Sequence, residues 1–197
     1  MVGHNKYSHM NTRLKQKLND DDYHHPKEKI LQLEGLAKFL CGSILEVFAG
    51  KGNLTDFYSK FGSVTSMTKE KFGNSFDEIY RLRADKKKFN VIDIDSYGYP
   101  DKFFPIVFEL MQDECLLIFT FPIVGVNCLN GISEQHFYTF YRGIPTIGDV
   151  IGSISDWGLR EWFLSSIADI KKIKRIYRFA FICKRVKATE MCNVRNR

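Results

Sequence analysis

Apolar residues recur along this chain in two rhythms, one at helical spacing and one in short unbroken runs, and both begin only after Pro26. Residues 1–26 carry neither. They are rich in His, Lys, Asn and Asp and close on Asp20, Asp21, Asp22, His24 and His25, so they read as a mobile polar arm. From Pro26, which suits the first turn of a helix, Ile30, Leu31, Leu33, Leu36, Ala37, Phe39 and Leu40 recur with helical spacing up to Cys41 and Gly42. Residues 43–48 (SILEVF) then predict a buried strand. Ala49, Gly50, Lys51 and Gly52 predict a tight turn, and the residues from Asn53 or Leu54 to about 61 a helix.

The alternation continues, with predicted strands at 63–67, 90–94 and 115–121 and helical stretches at 74–83, 102–111, 133–141 and 146–157. Near-continuous apolar strands separated by helices indicate a parallel sheet covered on both faces. The last two strand-like runs, 159–167 and 175–185, are joined only by residues 168–174, and so short a connection favours an antiparallel pair. The expected fold is α/β: a doubly wound, mostly parallel sheet ending in a C-terminal antiparallel β-hairpin, against which Trp157 and Trp162 pack.

At 197 residues the chain has room for one domain with a sizeable core, placed at 27–187, followed by a basic tail at 188–197. A hydrophobic content of 44%, with seventeen Phe, is enough to offset chain entropy and excludes wholesale disorder. No apolar run approaches the roughly 20 residues that span a bilayer, and the N-terminus lacks a secretory signal; a cytoplasmic protein without a membrane partner is expected. Five cysteines without a CxxC pair read as idle or buried thiols. His4, His9, His24 and His25 lack the accompanying Cys or carboxylate spacing of a known site, so no metal is expected. A net charge of +6, with Lys86, Lys87 and Lys88 in one cluster and a second between Lys171 and Lys187, permits a polyanionic partner and equally a solvated face.

Two clusters carry candidate chemistry. In Glu46, Val47, Phe48, Ala49, Gly50, Lys51, Gly52 and Asn53, the glycines let the backbone turn sharply at a strand end and approach a ligand closely. A phosphate loop of the form GxxxxGK(S/T) is absent, and the dinucleotide pattern GxGxxG lacks its third glycine. The second cluster, Asp93, Ile94, Asp95, Ser96, Tyr97, Gly98, Tyr99 and Pro100, sits at the carboxyl end of a strand, where open α/β sheets place their ligands. Alternation sets Asp93 and Asp95 on one face, and two carboxylates there are costly unless each has a partner. An ordinary strand-to-helix turn and a solvated turn from Asp95 are the plain alternatives.

The first cluster resembles the opening motif, (D/E)xFxGxG, of the class I S-adenosylmethionine-dependent methyltransferases, matched by Glu46, Phe48, Gly50 and Gly52. With the order of elements over residues 28–186, this resemblance implies a seven-stranded, three-layer α/β/α fold and S-adenosylmethionine as cofactor. It implies a cofactor site built from Glu46, Phe48, Ala49, Gly50, Lys51, Gly52, Asn53, Thr68, Asp85 and Asp93. By it Glu46 steadies the turn near the amino acid end of the cofactor, and Asp85 accepts from the adenine amine. Thr68 stands where the family usually has an acidic residue for the ribose hydroxyls, with Glu70 two residues on.

The second cluster is similar to the DxDPYGxP segment of tRNA guanine-N2 dimethyltransferases, with Ser96 in place of the proline. That similarity implies that Asp95 accepts a hydrogen bond from an exocyclic amine and that Tyr97 stacks on the base. The implied activity is methylation of an exocyclic amino group of a base, RNA being favoured over DNA. Two alternatives stand beside it. One is a small-molecule or protein methyltransferase with Phe137, Tyr138, Phe140 and Tyr141 in a lid; the other is a binding or accessory protein of the same fold without turnover.

Overall fold

In the computed structural model the described residues are 25–68, 75–96, 100–122, 145–174 and 176–187. Their elements follow one another as α1 (Pro26–Gly35), β1 (Gly42–Val47), α2 (Asn53–Tyr58), β2 (Gly62–Met67), α3 (Ser75–Ala84), β3 (Phe89–Ile94), α4 (Phe104–Val107), β4 (Met111–Pro122), α5 (Ile147–Arg160), β5 (Phe163–Ile173) and β6 (Ile176–Arg185). The strands form one sheet in the order β2-β1-β3-β4-β6-β5. Strands β1 to β4 pair in parallel, whereas β6 runs antiparallel to both β4 and β5. The described residues thus hold a six-stranded mixed sheet where the resemblance implied seven strands, and among them no strand lies between β2 and α3.

Strand alternation divides the core. Leu45, Val47, Ile92, Ile94, Leu117, Phe119, Phe179 and Phe181 join Ile79 of α3, Phe104 of α4 and Ile154 of α5 in one buried cluster. Ile44, Val91, Leu116, Ile118 and Ala180 join Leu33 of α1 and Leu54 and Phe57 of α2 in another. Apolar residues of both parities therefore find helical cover, as near-continuous apolar strands require.

Several predicted boundaries change, the first helix ending at Gly35 with a 3-10 turn at Ala37–Phe39 after it. The helix expected at 102–111 is broken into the 3-10 turn Pro100–Phe103, the single turn α4 and a second 3-10 turn, Phe108–Leu110, after which Met111 already opens β4. Pro105 lacks an amide hydrogen and fits only a first helical turn, so the helical path restarts around it. At the hairpin, Ile173 pairs with Ile176, so the reversal takes two residues, and Lys174 adopts φ 49° to make it. Residues 168–173 belong to β5 rather than to a connection, and Leu159 belongs to α5. Strand β5 is a sheet edge, where charged Asp169, Lys171 and Lys172 discourage further pairing and interrupt the apolar run. Trp157 packs against the core as expected, but Trp162 is exposed. Among the described residues no helix is long and apolar enough to cross a membrane.

The sheet order sets the place for a ligand. Strand β1 lies inside the sheet with β2 on one side and β3 on the other, so the winding reverses between β1 and β3. Open α/β sheets form a crevice beyond the carboxyl ends of the strands at such a switch point.

Candidate active site

The chain leaves β1 through backbone that side chains rarely adopt. Phe48, Gly50 and Gly52 have φ of 69°, 55° and 85°. The turn is fixed by three hydrogen bonds: Ala49 N–H donates to the Met67 carbonyl (2.9 Å), Gly52 N–H to that of Ala49 (2.8 Å), and Asp56 N–H to that of Gly52 (3.0 Å). A Cβ built on Gly50 meets nothing within 4 Å, so the turn faces open space. That space is a crevice, partly open to solvent, lined by Pro26, Lys29, Glu46, Phe48, Ala49, Gly50, Lys51, Asn53, Leu54 and Asp95.

Behind it a polar row crosses the sheet. Glu46 stands opposite Asp93 in the β1–β3 register, and Thr120 stands opposite Arg178 in the β4–β6 register. Glu46, Asp93 and Arg178 are each essentially withdrawn from water. Thr55 Oγ1 donates to Glu46 Oε2 at 2.5 Å. Burial, opposed by that bond and reinforced by Asp93, pushes the Glu46 carboxyl up to about 8. Arg178 Nη2 and the Tyr58 hydroxyl (2.6 Å) both donate to Asp93 Oδ2. Burial still raises Asp93, against the pull of Arg178.

Asp95 has its own partners. Lys29 Nζ donates to Oδ2 at 2.5 Å and Thr120 Oγ1 to Oδ1 at 2.6 Å, while Arg178 Nη1 lies 3.8 Å from Oδ1. Its backbone N–H donates to the Val47 carbonyl at 3.2 Å, tying it to the end of β1. Burial raises this carboxyl, but Lys29 and Arg178 outweigh burial and hold it below its ordinary range. Asp93 Oδ2 and both oxygens of Asp95 thus accept hydrogen bonds, whereas buried Asp93 Oδ1 has no hydrogen-bond donor among the described residues.

The fold thus brings Glu46, Phe48, Ala49, Gly50, Lys51, Asn53 and Asp95 to one crevice. Gly52 completes the turn, and Asp93 braces the floor through Tyr58 and Arg178. Thr68 follows Met67, whose carbonyl receives the Ala49 amide, and so stands at the tip of β2 beside the turn. Asp85 is not brought there. It is exposed, its N–H closes the end of α3 on the Arg81 carbonyl, and it precedes β3, which places it beyond the amino ends of the strands. The resemblance assigned Asp85 to the adenine side, whereas the helix expected at 74–83 forms as α3 and leaves Asp85 at the end of the sheet opposite the crevice. Tyr97, Glu70, His136 and the aromatic residues at 137–141 lie outside the described residues.

Lys29, Thr55, Tyr58, Thr120 and Arg178 are site residues that the sequence reading did not single out. Arg178 had a signal: a lone guanidinium inside the apolar run IYRFAFIC must find a buried anion. The others had none, because a Lys or Tyr on a helix or a Thr in a strand is ordinary until its neighbour is known.

No protein-family model matches the chain, and no curated sequence is similar to it. Solved structures are. The plantazolicin methyltransferase BpumL, in complex with SAH, superimposes with a TM-score of 0.59 at 13% identity, over 91% of this chain and 92% of that one. Trm1 from Pyrococcus horikoshii, in complex with S-adenosyl-L-methionine, gives 0.55 at 13% identity over 73% of this chain, which spans half the length of that protein (50%). An O-methyltransferase family protein from Burkholderia thailandensis gives 0.52 at 9% identity, over 90% of this chain and 61% of that one. The likeness is one of fold, an α/β fold shared with methyltransferases.

Proposed function

We propose that this protein is an S-adenosylmethionine-dependent methyltransferase whose acceptor is an exocyclic amino group of a base in nucleic acid, RNA in preference to DNA. The observation that carries the reading is the shared crevice: the open space over Gly50, the buried acid Glu46 and the carboxylate of Asp95 lie together at the switch point of the sheet. The residues present fit the cofactor. Gly50 leaves room where any side chain would intrude, and Glu46, Phe48, Lys51 and Asn53 supply a mixed polar and apolar wall. Thr68, at the tip of β2, is assigned to the ribose side in place of an acidic residue.

The chemistry supplied by bound S-adenosylmethionine is an electrophilic methyl group on a sulfonium centre. What remains for the protein is alignment and exclusion of water. Asp95, held ionised by Lys29 and Arg178, accepts an N–H of the target amine and thereby aims the nitrogen lone pair. Thr120 fixes the other carboxylate oxygen, and the Asp93–Arg178 pair keeps that platform rigid. Tyr97 is assigned to stack on the base.

The test is transfer of a labelled methyl group from S-adenosylmethionine to pooled RNA or DNA. Transfer by the wild type that is lost in Asp95→Ala is expected; no transfer, or equal transfer by the variant, sinks the reading. A second reading, a small-molecule or protein methyltransferase, is favoured by one observation: the chain covers 92% of the plantazolicin methyltransferase but 50% of Trm1. A third, an accessory protein without turnover, draws on Thr68 and Ser96 in place of the residues usual at those positions. Calorimetry that detects no binding of S-adenosylmethionine or its demethylated product would favour that third reading.

A further inference from the structure

We propose that Lys29 is itself a methyl acceptor, so that the site modifies its own first helix at Nζ. The inference rests on the methyltransferase reading and names a second amine for the same site. Lys29 lies on α1, yet it is 2% exposed, and lysine is almost never so buried without a reason. Its ammonium donates to Asp95 Oδ2, which is the contact assigned above to the acceptor amine. The same side chain lines the crevice with Glu46, Phe48, Gly50 and Asn53. An amine therefore already occupies the acceptor's hydrogen-bonding position, next to the wall assigned to the methyl donor. Because donor wall, carboxylate and amine belong to one chain, the reaction needs no encounter with an acceptor.

The step balances simply. The Lys29 ammonium first gives a proton to bulk base, since Asp95 is held too acidic to keep it. The neutral Nζ then attacks the methyl carbon; an N–C bond forms, the S–CH3 bond breaks, and its electron pair stays on sulfur as a neutral thioether. The product is a secondary ammonium that still has N–H donors for Asp95. Labelling should therefore quicken as the medium is made more basic, because only the neutral amine carries the lone pair that attacks.

The experiment uses the full chain with S-adenosylmethionine bearing a deuterated methyl group and no added acceptor, followed by proteolysis and mass mapping. Label is expected at Lys29, with a rate constant independent of protein concentration, and no label at that position in Lys29→Arg. A second readout needs no turnover: calorimetric affinity for S-adenosylhomocysteine should change severalfold in Lys29→Arg and stay constant in Lys27→Arg, an exposed neighbour on the same helix. If Lys29→Arg fails to fold, the wild-type mass map still decides. Binding of S-adenosylhomocysteine without label at Lys29 overturns this inference and leaves the methyltransferase reading standing. No binding at all removes both.

Discussion

Asp93 on β3 and Arg178 on β6 form an ion pair that reaches past the intervening strand β4, with both side chains wholly withdrawn from water. Removing one member of such a pair leaves an uncompensated buried charge, which costs about 3–5 kcal/mol. Arg178→Met is expected to lower stability by about that amount, read from urea unfolding. The double variant Asp93→Leu with Arg178→Met should regain a large part of the loss, because no buried charge is then stranded. A double variant as unstable as the single one would show that the pair is not the source of the cost.

Glu46 gives stability a pH dependence of defined sign. Its carboxyl titrates near 4.5 in the absence of structure and is pushed up to about 8 in the fold, chiefly by burial. Below the lower value both states are protonated and the group contributes nothing. As pH rises from there, only the unfolded chain ionises, so the fold loses stability progressively until the folded carboxyl also ionises near the upper value. Glu46→Gln keeps a partner for Thr55 and cannot ionise. It should match the wild type at about pH 4 and exceed it by a few kcal/mol at about pH 8, measured as urea midpoints at each pH. A difference that does not grow with pH would mean that Glu46 is already ionised in the fold.

The legible part of this site was local. Glu46, Phe48, Gly50 and Gly52 sit within seven residues, and the turn that they predict is the turn that forms. The network that equips it is not local. Lys29 and Asp95 are 66 residues apart, and Asp93 and Arg178 are 85 apart, so their meeting depends on strand order and on α1 lying over one sheet face. The same dependence misplaced Asp85. The resemblance implied an adenine-side acid at Asp85, but α3, formed where a helix was expected, delivers it to the end of the sheet opposite the crevice. The hairpin erred for a different reason: on edge strand β5 solvent admits Lys171 and Lys172, and the apolar criterion stops short of where pairing stops.

Gly50 separates binding from folding. Its φ of 55° costs an L-residue roughly 1–2 kcal/mol, yet nothing lies within 4 Å of a Cβ placed there. Gly50→Ala should therefore fold with a stability loss of about 1–2 kcal/mol, while the new methyl group projects into the crevice. Calorimetric affinity for S-adenosylhomocysteine should drop by about tenfold or more, equivalent to about 1.4 kcal/mol or more. Unchanged affinity would place the cofactor elsewhere than over this turn.

Asp95 and the ionic strength of the medium together distinguish the acceptor classes. Asp95→Asn keeps the size of the side chain and the partner of Thr120 but removes the charge that Lys29 and Arg178 stabilise, so transfer to an amine should fall while S-adenosylhomocysteine still binds. Affinity for the acceptor tests the other half of the reading. With Lys171, Lys172 and Lys184 among the basic residues of the hairpin, a nucleic acid that loses counterions to six or more phosphate contacts should bind on the order of a thousandfold more weakly at about 200 mM salt than at about 50 mM. Filter binding or fluorescence anisotropy with a labelled single strand measures that slope directly. A flat response, alongside retained transfer to a neutral metabolite, would assign the crevice to small molecules, because a neutral acceptor displaces no counterions.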